Sequence, residues 1–116
     1  MRLRGSCHCG KIAYSLDEEP PTEAIECNCS ICRRKGSLLA AFAPDNFHLE
    51  TPRDDIAVYT FGKQAIRHQF CKTCGCTPFA EGTGPDGEAM VVLNLRCADN
   101  LDPSAIKVTQ FDGASL

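Results

Sequence analysis

The stretch CNCSIC, residues 27–32, decides how the chain is read: three cysteines within six positions, spaced C-x-C-x-x-C. A turn of this kind brings several thiolates to one point, and zinc prefers four such ligands in a tetrahedron. Working outward, SCHCG (residues 6–10) carries Cys7 and Cys9, and CKTCGC (residues 71–76) carries Cys71, Cys74 and Cys76. Cys97 stands apart. The middle cluster alone supplies three ligands, Cys27, Cys29 and Cys32. The pairs Cys7 with Cys9 and Cys71 with Cys74 together complete a four-thiolate site. The expectation is two zinc ions per chain. The four-thiolate site is full and ties the N-terminal segment to a turn more than 60 residues later. The three-thiolate site keeps a position open, the feature that separates catalytic from structural zinc. The competing reading is a fourth protein ligand from Cys76, Cys97, His8, His48 or His68. Iron also accepts four thiolates, but a mononuclear iron site more usually shows C-x-x-C at both ends.

Around these clusters the apolar pattern is short and strand-like. Candidate strands are 11–16, 38–42, 46–49, 56–61, 65–70, 77–80, 90–95 and 106–111. The run from Met90 to Leu95 alternates poorly, as a strand buried on both faces does. Gly62 and Lys63 suit a hairpin turn, and 82–87 (GTGPDG) a turn or flap. The one helical candidate runs from Ser30, a possible N-cap, to Lys35, with Gly36 as its stop. The expected fold is all-β: a single domain over residues 1–116, built of short antiparallel strands.

Composition bounds the function. Nine cysteines in 116 residues, an odd number, argue against a disulfide framework and for a reducing, cytoplasmic setting. No signal peptide or membrane span is expected. The formal charge of −3 becomes about −6 once seven thiolates hold two divalent ions, so a nucleic-acid partner is not expected. Among other candidate residues, Arg33, Arg34 and Lys35 directly after Cys32 could offset the negative site or meet the carboxylates of a ligand, Arg33 and Arg34 first, and Glu81 could act as a general base. Cys76 and Cys97 are either small buried residues or a redox pair.

The ordered set GSCHCGKIAY (5–14), CNCSICRRKGS (27–37), RHQFCKTCGCTPF (67–79) and VLNLRC (92–97) resembles the glutathione-dependent formaldehyde-activating enzyme family, which also includes centromere protein V. The resemblance covers nearly the whole chain. It implies a β-tent-like zinc fold, a structural site at Cys7, Cys9, Cys71 and Cys74, and a catalytic site at Cys27, Cys29 and Cys32. It implies a carbon–sulfur lyase that joins glutathione and formaldehyde into S-hydroxymethylglutathione, or runs in reverse. Cys76 departs from the family, which usually has Ser or Thr there. Two other functions stay open: a zinc-bearing protein-interaction module, and a thiol redox enzyme using Cys76 and Cys97. A homodimer formed through exposed β edges is also open.

Overall fold

The computed structural model describes residues 2–61, 66–84 and 86–115. Ten strands, one α-helical turn and five short 3-10 turns appear among them, which is the all-β architecture expected. Strands β1 (Leu3–Ser6), β2 (Ala13–Leu16) and β5 (Phe47–Leu49) form a three-stranded sheet in the order β1-β2-β5. The other seven are β3 (Glu23–Cys27), β4 (Leu39–Phe42), β6 (Ile56–Tyr59), β7 (Ile66–Cys71), β8 (Phe79–Thr83), β9 (Ala89–Asn94) and β10 (Lys107–Phe111). They form one sheet in the order β10-β3-β4-β9-β8-β7-β6. Every pairing is antiparallel except β3 with β10, which is parallel and corrects the expectation of antiparallel strands throughout. A parallel pair needs a crossover, and nearly the whole sheet is laid down between these two strands.

Two strands escape the apolar pattern. β1 reads LRGS, and only Leu3 offers an apolar side chain. Its Gly5 lies so close to the Tyr14 ring that a Cβ would collide with it. β3 reads EAIEC, with Ala24 as its one buried residue. The expected hairpin turn at Gly62 and Lys63, and residue 65 of the strand expected after it, lie outside the described residues. So does Pro85 of the 82–87 loop.

The core fills the space between the sheets. Leu3, Tyr14 and Leu16 of the small sheet meet Val91, Leu93 and Phe79 of the large one, all at most 1% exposed. Phe47 bridges them, with ring centroids 5.7 Å from Tyr14 and 4.9 Å from Phe79. Strand β9 explains its own poor alternation. Val91 and Leu93 face this core, while Met90, Val92 and Asn94 face a cavity on the other side.

Helix α1 (Cys32–Lys35) is a single turn, with Gly36 in left-handed conformation as its C-cap (φ 69°). Ser30 does not cap it. Ile31 occupies the N-cap position without a side-chain bond, and Arg34 Nη1 donates to the Ser30 carbonyl at 2.7 Å. A one-turn helix gains little from a cap, and here its ends are held by neighbouring structure.

Candidate metal centres and an apolar cavity

The seven cysteines converge in two groups. In each, the thiol sulfurs all lie within 4.8 Å of one another: Cys7, Cys9, Cys71 and Cys74 in one, Cys27, Cys29 and Cys32 in the other. The four-thiol group is built from two turns, each closed by a glycine after its second cysteine. After β1, the Gly10 N–H bonds back to the Cys7 carbonyl at 3.3 Å. After β7, the Gly75 N–H bonds back to the Cys71 carbonyl at 2.9 Å. Both glycines have φ above 80°, a conformation that a side chain would strain. Cys9 Sγ lies 3.5 Å from Cys71 Sγ, so the group joins the small sheet to the large one. Backbone N–H groups point at these sulfurs, from Ile12 to Cys7 at 3.3 Å and from Thr73 and Cys74 to Cys71 at 3.4 Å.

The three-thiol group sits at the end of β3 and the start of α1. Among the described residues, no fourth His, Cys, Asp or Glu atom joins it. His48 is engaged elsewhere, 2.7 Å from Asp17 on an exposed surface. His8 is exposed. Behind the cluster packs the turn after β10. Asn28, between two of the cysteines, donates to Asp112 Oδ1 at 3.0 Å and accepts from the Ala114 N–H at 2.9 Å. Gly113 lies so near that a Cβ there would run into Cys27 Sγ.

Both groups fit a metal ion by their chemistry. Several thiols in such proximity resist common ionisation unless a cation is present. In the four-thiol group, the backbone N–H of Cys76, aided by Cys9, lowers Cys74 to about 5. Cys9 is pushed up to about 12: the Lys11 N–H lowers it, but burial and the neighbouring thiols prevail. In the three-thiol group, burial and the Cys29 thiol raise Cys32 to about 12. Cys29 is lowered, because hydrogen bonds from Cys32 outweigh its burial. An all-thiolate donor set suits a soft or borderline ion.

The two groups differ in surroundings. Cys27, Cys29 and Cys32 line a cavity of about 530 Å³ on one face of the large sheet, and the cysteines of the four-thiol group do not. Every strand of that sheet from β10 to β7 contributes to the wall, among them Ile25, Leu39, Met90 and Ile66. His68, on the same face of β7 as Ile66, also lines it, stacked on Phe61 at 5.7 Å. Burial, reinforced by the Lys35 ammonium, lowers His68 below the ordinary imidazole value. Lys35 lines the cavity as well. Partial burial lowers its pKa despite the opposing pull of Cys32.

The remaining predicted residues lie off the cavity. Arg33 and Arg34 are exposed and are not among its lining, a position that Lys35 fills instead. Glu81 pairs with Arg53 at 3.3 Å and accepts from Gln69. Burial raises its pKa, but these two partners prevail and hold it as a carboxylate. Cys97 is pushed up to about 11, first by burial and then by Cys76, so it is a thiol near neutral pH and a poor nucleophile. The cavity, His68 and Lys35 as a set were not visible in the sequence. The signals were that His68 alternates with Ile66 and that Lys35 belongs to the basic run after Cys32.

A cysteine-rich all-β protein with one tied thiol cluster and one cavity-facing thiol cluster is the class that fold and site define. The chain belongs to the glutathione-dependent formaldehyde-activating enzyme family, whose profile matches residues 2–111. A crystal structure of a Rhodobacter sphaeroides protein, a structural-genomics target, has the same fold. Its TM-score is 0.78 at 24% identity, with 91% of this chain and 99% of that one covered. Among the described residues, no helix is long and apolar enough to cross a membrane.

Proposed function

We propose that this chain is a zinc-dependent carbon–sulfur lyase that forms or cleaves thiol–aldehyde adducts such as S-hydroxymethylglutathione. Its four-thiol cluster would hold a structural zinc, and Cys27, Cys29 and Cys32 a second zinc with one position open. The observation that carries this reading is the difference in surroundings. The cluster with three donors lines a cavity, and the cluster with four does not. The family, named as an enzyme family, supports it.

When bound, zinc supplies Lewis acidity that acidifies a thiol more readily than it makes hydroxide, since three thiolates already donate to it. The chain's own residues do the rest. In the forming direction the substrate sulfur bonds to the carbonyl carbon. The carbonyl π pair moves to oxygen, and the thiol's proton ends there. In reverse the carbon–sulfur bond breaks, and nothing is oxidised or reduced. His68, neutral at pH 7 because its pKa is lowered, can carry that proton between sulfur and oxygen. Lys35 offsets the negative charge of the thiolates and can meet a carboxylate of the thiol. With a ligand filling it, the apolar wall would exclude water, which otherwise competes as a nucleophile for the aldehyde.

The test is exchange NMR on zinc-loaded protein with glutathione and formaldehyde, against a protein-free sample and Cys29→Ser. Interconversion faster than the uncatalysed rate, lost in the variant, is expected. A rate equal to the protein-free sample would exclude S-hydroxymethylglutathione as an adduct of this site, and a rate unchanged in Cys29→Ser would refute the assignment to this cluster. The reading as an interaction module draws on one observation: Val58 and Tyr59, on edge strand β6, are 53% and 51% exposed. For that module, Cys29→Ser would leave function intact.

A further inference from the structure

The cavity over Cys27, Cys29 and Cys32 is poorly matched to glutathione. Glutathione carries two carboxylates and an ammonium at neutral pH, and each needs a partner when it leaves water. Of the described side chains lining the cavity, Lys35 alone carries an ammonium group. His68 is held neutral near pH 7. Asn94 could greet a polar ligand, but its amide is already committed. Its Oδ1 accepts from the Leu38 and Arg96 N–H groups at 3.3 and 3.2 Å, and its Nδ2 donates to the Thr77 carbonyl at 3.1 Å. The rest of the wall is chiefly hydrocarbon, with Ile25, Leu39, Ile66, Met90 and Val92 presented from four strands. Ile25 and Phe111 remain 38% and 43% exposed at the same cavity, so apolar surface stands open to solvent in the absence of a ligand.

Size points the same way. A volume of about 530 Å³ is within the range of pockets that enclose a whole drug-sized molecule. A one-carbon aldehyde unit at the sulfur cluster would leave most of it unfilled. The wall rewards hydrocarbon: each methylene withdrawn from water is worth ~0.8 kcal/mol, or about fourfold in affinity.

We infer that the substrate of this site is an apolar organosulfur compound: a thiol adduct whose chain or ring fills the cavity, with at most one anionic group, directed to Lys35. This rests on the carbon–sulfur lyase reading for the bond that reacts, and it names the body that surrounds that bond. Sulfur lies at the three cysteines, and the hydrocarbon runs along the sheet past Val92 and Met90.

Unreactive thioethers test it without any turnover. Zinc-loaded protein is titrated with (hexylthio)acetate, (methylthio)acetate and S-methylglutathione, following the Met90 and Ala80 methyl resonances. The hexyl compound is expected to bind at least tenfold more tightly than the other two, with shifts at both methyls. A charge placed in the wall should erase that gain while leaving the melting temperature near wild type. Met90→Glu serves, and Ala41→Glu, at an exposed lining position, is the second choice if the first folds poorly. S-methylglutathione binding as tightly as the hexyl compound, or no gain from methyl to hexyl, would overturn the inference. Exchange rates separate it from the reaction assignment. A hexyl preference in binding with no adduct accelerated sinks the lyase reading alone. Accelerated S-hydroxymethylglutathione exchange without any chain-length preference sinks the apolar substrate alone.

Discussion

The two thiol clusters have the same donor chemistry and opposite surroundings. Cys7, Cys9, Cys71 and Cys74 come from two glycine-closed turns that join the two sheets, with a sulfur–sulfur approach of 3.5 Å across 62 residues. Cys27, Cys29 and Cys32 come from one local segment and face a cavity of about 530 Å³. A cluster that closes a long loop restrains the unfolded chain and makes metal binding part of folding. A cluster contained in six residues restrains little and is free to serve a ligand. The difference therefore lies in the span of chain each cluster ties together.

The largest expected effect breaks the comparison if it fails. Metal binding at structural thiolate sites is worth ~10–16 kcal/mol in apparent terms, as large as the whole stability of a domain at ~5–15 kcal/mol. Cys71→Ser, or strong chelation, should leave the chain largely unfolded at room temperature, as read by circular dichroism. Cys29→Ser should keep the fold and lower bound zinc from about two ions to about one, as read by metal analysis. If Cys29→Ser unfolds the protein as fully as Cys71→Ser, the division into a structural and a functional cluster is wrong.

A middle-sized effect sharpens it. Asn28 fastens the three-thiol cluster to the turn at 112–115 through hydrogen bonds of 3.0 and 2.9 Å. Partners of this kind around a metal site typically change its affinity ~10–100-fold. Asn28→Ala should weaken zinc binding at this cluster by about tenfold, and leave the four-thiol cluster unaffected, in a competition titration with a coloured chelator. Gly113→Val should do the same by forcing a side chain against Cys27 Sγ. Equal weakening at both clusters would mean that the turn stabilises the whole fold and has no special tie to this site.

Features written in local spacing were legible in the sequence. The membership of both clusters follows from short cysteine spacings, and β9 betrayed its two-faced burial through unbroken apolar character. Two kinds of feature were hidden. Strands β1 and β3 carry too few apolar side chains to announce themselves, because their partners and the metal turns hold them. The cavity wall takes one to three residues from each of six strands, and the clamp on Asn28 comes from residues 84–86 positions away. Such features exist only once the sheet order is known. For a similar reason the sequence could name Arg33, Arg34 and Lys35 as a basic group but not choose Lys35 among them, since on a one-turn helix the side chain that faces the cavity depends on how the turn docks.

The smallest expected effect concerns His68, which belongs to the cavity and has no counterpart at the four-thiol cluster. Burial first, and Lys35 second, lower its pKa below the ordinary value of ~6.5. As pH falls through about 6.5, the unfolded chain takes up this proton before the folded one does. The histidine's share of stability is therefore full above that pH and declines below it, down to the folded-state pKa. Acid also protonates the thiolates and releases metal, but it does so in any variant that keeps the cysteines. The difference between wild type and His68→Phe isolates the imidazole, and phenylalanine preserves the stack on Phe61. Melting temperatures of the zinc-loaded proteins at pH 7.5 and 5.5 should show wild type losing slightly more than His68→Phe. An identical loss in both would mean that the cavity admits enough water to hydrate the imidazolium. In that case the same water would weaken the claim that the wall around the three-thiol cluster is dry enough to favour a hydrocarbon substrate.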